Sequence, residues 1–354
     1  MPLINKSNSV ALFVGIIGLC LIVYLCYIVI GDKNTSKAHI SFYHWKSGLS
    51  DRAIMSDYMR NDTASMLYLH YGDIVWDEEQ GKARPEAVLQ KINHDLSPIH
   101  IVPVLYVENE VFLQSDSLAA VLLADSIISF VKRVSVANKI GYHKIQIDCD
   151  WTRNSKQRYF DFLAAIRKKG GVAIEVTIRL HQIKYPKLTG IPPVDRGVLM
   201  YYNMGKIDAD LLSPNSIYDA RTAAPYLPSL YNYPLRLDVA LPAYSWMIHT
   251  RDNRVVELIH QYESLVLQDS TKYKSIGDGN AYRAATNFFD NGIYVMANDV
   301  FKLELINFEL LNQAATQLGD FLPYTPDQII IYKIDGLDTS EFNPKKIQTL
   351  LEAF

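Results

Sequence analysis

The chain has 354 residues, 49% hydrophobic and 21% charged, with a net charge of -3. That composition describes a globular protein long enough for a large core. It excludes a nucleic-acid partner, because no basic excess is available to neutralise phosphates. Three cysteines fit neither a disulfide framework nor a zinc pattern.

The first element is apolar. Residues 10–31, VALFVGIIGLCLIVYLCYIVIG, carry no charge and are long enough to span a bilayer as a helix. The run lacks a small-x-small cleavage site at its end, so an uncleaved anchor is expected rather than a signal peptide. Residues 1–9 are then a short tail and 32–37 a polar linker, with a barrel domain over 38–354 facing away from the cytoplasm. Asn34-Thr35-Ser36 and Asn61-Asp62-Thr63 fit the glycosylation acceptor pattern, a short match that arises often by chance.

Strand-like runs and helical patterns then alternate. The expected strands are Ile40–His44, Met66–His70, Ile101–Tyr106, Lys144–Asp150, Ile174–Arg179, Gly197–Tyr202, Leu237–Leu241 and Gln328–Ile334. Ser117–Val134 and Arg158–Lys168 space apolar residues by three and four, as amphipathic helices do. Eight strands alternating with helices predict an α/β protein, a (β/α)8 TIM barrel. The alternative is an open doubly wound sheet, but no glycine-rich phosphate loop follows the first strand and no cofactor is expected. Between the seventh and eighth strands, Arg283–Leu305 predicts a small inserted β-hairpin around Asn291-Gly292. A helix, Ile306–Leu318, leads to the last strand.

In such barrels, ligands meet the C-terminal ends of the strands. The fourth strand, IQIDCDWT, puts Asp148 and Asp150 on one face, roughly 7 Å apart. Two carboxylates there are costly unless hydrogen-bonded or used. Cys149 points to the apolar side and reads as a buried structural thiol. The fifth strand is expected to run on through Arg179 and His181, with Glu175 deeper as a buried partner. The sixth ends in Tyr202 and Asn203, the seventh in Tyr244 and Trp246. The first two contribute Tyr43, His44, Trp45, His70 and Asp73. Asp148 and Asp150 are the candidate catalytic residues. Arg179, His181, Tyr202, Asn203, Tyr244, Trp246, His70 and Tyr43 are the candidate substrate-binding set. Each also has a structural reading. The aspartates can be salt-bridged to Arg179, the histidines hydrogen-bonded in place, and Tyr244 with Trp246 packed beneath the insertion. Nothing in the spacing favours a metal.

These residues resemble the chitinase-like family 18 glycoside hydrolases. The family's fourth strand carries DGxDxDxE; its last two aspartates align with Asp148 and Asp150, and Trp151 suits the next position. Its sixth-strand methionine and Tyr-Asp match Met200, Tyr202 and Asn203. Its seventh-strand Leu-Pro-x-Tyr matches Leu241, Pro242 and Tyr244. The IQIDCDW stretch with the aromatic-rich helix after it also resembles a group of bacterial glycosidase-like barrel proteins.

The resemblance implies the barrel and a sugar-shaped cleft. In the family the glutamate ending the motif protonates the glycosidic oxygen, and Thr152 stands at that position. The aspartate that orients a substrate acetamido group is Asn203, and Ile145 replaces the motif's first aspartate. The family's tryptophan on the last strand has no match near Tyr332. The expected function is a membrane-anchored, glycoside-hydrolase-like protein that binds or cleaves a carbohydrate. Asp150 would be its general acid or orienting carboxylate, with Asp148 as a like-charged tuning neighbour. The alternatives are a carbohydrate-binding barrel without turnover and an envelope assembly protein that uses the inserted hairpin as its contact surface.

Overall fold

The structure, a computed structural model, describes residues 37–354 except 50–56, 60–63, 94–95, 98, 261–266, 268, 278 and 291. The expected anchor at 10–31, both glycosylation-like triplets and Asn291 fall outside the described residues. Among the described residues, no helix is long and apolar enough to cross a membrane.

Ala38–Phe354 form one compact unit. Its centre is a closed parallel barrel of eight strands: β1 (His39–His44), β2 (Met66–Asp77), β4 (His100–Val107), β5 (Lys144–Asp148), β6 (Ala173–Arg179), β7 (Arg196–Met200), β8 (Leu237–Pro242) and β16 (Gln328–Tyr332). The ring closes through β16–β1 and β1–β2. β3 (Lys82–Glu86) pairs antiparallel with the long outer end of β2. The irregularity in the β2–β4 ladder lies between His70 and Gly72.

The strands form because each presents two chemically different faces. Ile40, Phe42, Leu67, Leu69, Ile145, Ile147, Ile174, Val176, Val239, Leu241, Ile329 and Ile331 are all buried, on the face that packs outward on the surrounding layer. The intervening residues point inward and meet across the barrel. Tyr43 on β1 donates to Gln146 on β5 at 2.7 Å. Tyr68 on β2 donates to Glu175 on β6 at 3.1 Å. Lys144 closes the lower polar layer by pairing with Glu175 and reaching Tyr68 at 3.0 Å.

Helices α1 (Asn109–Gln114), α2 (Ser117–Asn138) and α3 (Lys156–Gly170) cover the β4–β6 side. The Asp116 side chain accepts from the Ala119 amide at 2.7 Å and so caps α2. After β6 the chain turns straight into α4 (Leu180–Lys184) and α5 (Pro186–Thr189), whereas residues 201–219 separate β7 from α6 (Ala220–Ala223). α7 (Phe308–Gly319) precedes β16, and α8 (Pro344–Thr349) follows it.

The insertion after β8 is larger than the predicted hairpin at 283–305. It contains β9 (Trp246–Arg251), β10 (Arg254–Ile259), β11 (Tyr273–Ile276), β12 (Ala281–Ala284), β13 (Phe288–Asp290), β14 (Ile293–Val295) and β15 (Val300–Glu304). Five of these make one sheet, in the order β10-β9-β15-β12-β11, and β13 pairs with β14 around residues 291–292. Two physical features extend it. Asp252 and Asn253 both take positive φ, 49° and 57°, the two-residue turn geometry that joins β9 to β10. The insertion also has its own core of Met247, Leu267, Tyr273, Ala284, Val295 and Phe301. Asp299 ties it together: it accepts from Arg251 at 2.8 and 2.7 Å and lies 2.8 Å from His249. Although burial opposes its charge, the Arg251 guanidinium and the Met296 amide hold its carboxyl at about 2.

Candidate functional site at the barrel mouth

The inward face of each strand delivers its last residue to one end of the barrel. Asp148 ends β5, beside Thr177 on β6, whose hydroxyl donates to Asp148 Oδ1 at 2.6 Å. Asp148 is 8% exposed. Burial pushes its carboxyl up to about 6, opposed by the Thr177 hydrogen bond and reinforced by the charge of Asp150.

Asp150 lies farther out, its side chain 48% exposed. Both its oxygens are taken by Arg179, from Nε at 2.6 Å and from Nη2 at 2.7 Å. Burial opposes the charge of Arg179, and the Asp150 hydrogen bonds outweigh it. A carboxylate whose two oxygens both accept from one guanidinium is a partner of that arginine and not a free acid. Of the two carboxylates expected as a general acid or orienting group, Asp150 is paired with Arg179 and Asp148 is the one that Arg179 does not hold.

An aromatic wall surrounds the pair. Tyr332, the last residue of β16, stacks on Tyr202 with centroids 5.2 Å apart. It also meets Tyr43, Trp45 and Tyr244 edge to face at 5.6, 5.5 and 5.5 Å. Trp45 stacks on His70 at 4.7 Å, and His70 Nε2 is held 2.8 Å from Asp73. The Trp45 amide donates to Asp335 at 2.7 Å, which fixes the entry of that loop. The Tyr244 hydroxyl donates to Asn203 Oδ1. Asn203 sits at φ 52°, a left-handed conformation that asparagine tolerates better than most residues.

The structure brings Asp148, Asp150, Arg179, Tyr202, Asn203, Tyr244 and His70 together at this end. Three expected members sit differently. Tyr43 is buried, and its hydroxyl points to Gln146 below the mouth. His181 is not on β6, because the strand ends at Arg179; it lies on α4, where partial desolvation of its ring, followed by the Arg179 charge, lowers its proton affinity. Trp246 is only 5% exposed. Its indole donates to Glu304 of the insertion at 2.8 Å, so it braces the base of the insertion and presents no open platform. Sequence reasoning missed Tyr332 and Tyr106. Both are inward positions at strand ends, in the alternations Gln328-Ile330-Tyr332 and Val102-Val104-Tyr106, so the strand-end rule reaches them. Burial and the charges of Asp150 and Asp148 push the Tyr106 hydroxyl up to about 12.

Trp151 is buried, donates to the Thr189 carbonyl at 3.0 Å and stacks on Tyr159. Thr152 is exposed just before α3; its amide donates to Ser155 Oγ at 2.9 Å and its hydroxyl lies 3.3 Å from the same oxygen. Among the described residues, no group of three or more His, Cys, Asp or Glu is arranged to hold a metal.

No family model matches the sequence, and no curated protein matches it. Solved structures do match the fold. The spore cortex-lytic enzyme SleL of Bacillus cereus superposes with a TM-score of 0.51 at 14% identity, over 90% of this chain and 75% of that one. The C-terminal domain of a chitinase-designated protein from Desulfitobacterium hafniense DCB-2 superposes with a TM-score of 0.54 at 8% identity, over 90% of this chain and 99% of that one. The shared property is the fold, a parallel (β/α)8 barrel.

Proposed function

We propose that this chain is a carbohydrate-binding barrel that holds a sugar at its mouth without hydrolysing it. The observation that carries this reading is the mouth itself. Stacked and edge-on aromatic rings gather at the strand ends around Tyr332, near enough to Asp148 for its charge to reach the Tyr43, Tyr202 and Tyr332 hydroxyls, while Asp150 is closed onto Arg179. Aromatic faces with a few fixed polar groups suit sugar rings, which pair apolar C–H faces with hydroxyl edges. The two structural neighbours, named as a cortex-lytic enzyme and a chitinase, support a saccharide as the ligand class. The missing turnover rests on Thr152, which stands where the family places its proton donor and whose hydroxyl lies beside Ser155. An exposed hydroxyl cannot replace a carboxylic acid as the donor to a glycosidic oxygen.

A glycan array followed by calorimetric titration of the full chain tests the reading. Saturable binding without release of new reducing ends is expected. Absence of binding to every glycan sinks it. A second reading, hydrolysis with Asp148 as the acid, is favoured by its proton affinity near 6. Turnover that disappears in Asp148→Asn would establish that reading in place of the first.

In this proposal residues 10–31 tether the barrel to a membrane, with the mouth on the non-cytoplasmic side. Carbonate extraction of membranes should leave the full chain in the pellet; release into the supernatant would remove the tether.

A further inference from the structure

Charge balance at the mouth points to a more specific ligand, on the premise that the site binds a saccharide. Arg179 is occupied by both oxygens of Asp150. Lys333 lies 3.1 Å from Asp335, and His70 lies 2.8 Å from Asp73. Asp148 alone among these acids has no basic side chain against it. Its Oδ1 accepts from Thr177, and its Oδ2 accepts from no described residue. Yet the side chain faces the barrel axis, more than nine-tenths buried.

The groups that face Asp148 come from every neighbouring strand. His70 (β2), Asp150 (just beyond β5) and Arg179 (β6) act on its carboxyl. Its charge in turn reaches the hydroxyls of Tyr43 (β1), Tyr106 (β4), Tyr202 (beyond β7) and Tyr332 (β16). Burial raises all four tyrosines, so they stay neutral and offer rings and hydroxyls rather than charge. A lone carboxylate ringed by aromatic groups is the composition that receives an ammonium group. The carboxylate supplies the ion pair, and the ring quadrupoles attract the cation. A neutral hydroxyl would repay less of the cost of burying the carboxylate. An acidic sugar would find its cation, Arg179, already engaged.

We infer that the mouth selects an amino sugar with a free amine, whose ammonium group pairs with Asp148 among Tyr106, Tyr202 and Tyr332. Burial pushes the Asp148 carboxyl up to about 6, so the pairing weakens as pH falls through that value. It also weakens when the amine itself loses its proton, which makes affinity bell-shaped in pH.

The test is calorimetric titration of the full chain with glucosamine and N-acetylglucosamine oligomers of equal length. The free-amine oligomer is expected to bind about tenfold tighter near neutrality, the scale of one charge-assisted contact. That preference should shrink to about twofold or less near pH 5 in the wild type, and at all pH values in Asp148→Asn. The wild-type pH profile keeps the test decisive if the variant folds poorly. Equal or tighter binding of the N-acetylated or any other neutral oligomer overturns the inference and leaves saccharide binding standing. So does a free-amine preference that survives both low pH and the substitution. No binding to any glycan overturns both.

Discussion

Asp148→Asn is expected to stabilise the barrel by about 3 kcal/mol near pH 8 and to leave it nearly unchanged near pH 3. The sign follows from linkage. The folded-state proton affinity of Asp148 is raised from the ordinary 3.8 to about 6, chiefly by burial. The folded protein therefore binds this proton more tightly than the unfolded chain does. Below about pH 3 both states are protonated and the side chain costs nothing. As pH rises through the interval to about 6, the unfolded chain ionises freely while the folded one resists, and the cost grows to a plateau. Asparagine keeps an oxygen for the Thr177 hydroxyl and removes the charge. Asp238 is also raised to about 6 by burial, but it is present in both proteins and cancels in the comparison. Urea unfolding of wild type and variant at the two pH values measures the difference. Equal stability near pH 8, or a loss at both pH values, would show that Asp148 is not a buried charge under strain.

In the proposed reading, a ligand cation offsets this cost at the end of the strand. Groups whose environment opposes their charge concentrate where ligands restore the balance. That distinguishes Asp148 from Asp150. Asp150 is half-exposed and fully partnered by Arg179, so a ligand has little to add to it. The same strand thus presents an outer ion pair that shapes the rim and an inner carboxylate still short of a cation.

The barrel was legible in the sequence because each strand keeps two chemistries apart. The outward series Ile145-Ile147-Cys149 and the inward series Gln146-Asp148-Asp150 mark both the strand and its orientation. All eight predicted strands overlap an observed one, seven of them to within two residues at each end, while β2 runs seven residues past its predicted end at His70. The pairing of Asp150 with Arg179 was open among the readings, since register between adjacent strands decides it and spacing within one strand does not. His181 was misplaced because an inward alternation continues on paper past Arg179, whereas the chain bends into α4 there. Trp246 was read as a platform because its partner, Glu304, is 58 residues away and lies on β15. Tyr332 stands where the family resemblance leads one to expect a tryptophan, which hides its own signal. Its position at the inward end of β16 was the better signal.

Tyr332 carries the other large prediction. It is the ring common to the wall, against Tyr43, Trp45, Tyr202 and Tyr244. Tyr332→Ala removes the stacking partner of Tyr202 and the edge contacts of the other three rings together. Each aromatic pair contributes about 0.5–1.5 kcal/mol beyond burial, and central aromatic anchors typically cost 2 kcal/mol or more when truncated to alanine. Saccharide affinity is therefore expected to fall by roughly a hundredfold. The barrel should also lose about 2–3 kcal/mol of stability, because a large, mostly buried side chain leaves a hole that the rigid strand ends cannot close. Tyr332→Phe separates the two effects. It retains the ring and deletes only the hydroxyl, so affinity should stay within about threefold of wild type and stability should hardly move. Titration and urea unfolding of both variants give the four numbers needed. If Tyr332→Ala unfolds more easily but binds as tightly as wild type, the wall is packing alone and the sugar lies elsewhere on the mouth. If both variants lose affinity equally, the hydroxyl is the contact and the stacked-ring account fails. Loss of affinity in the alanine variant alone leaves one explanation, a ring face held in place by its neighbours and used by the ligand.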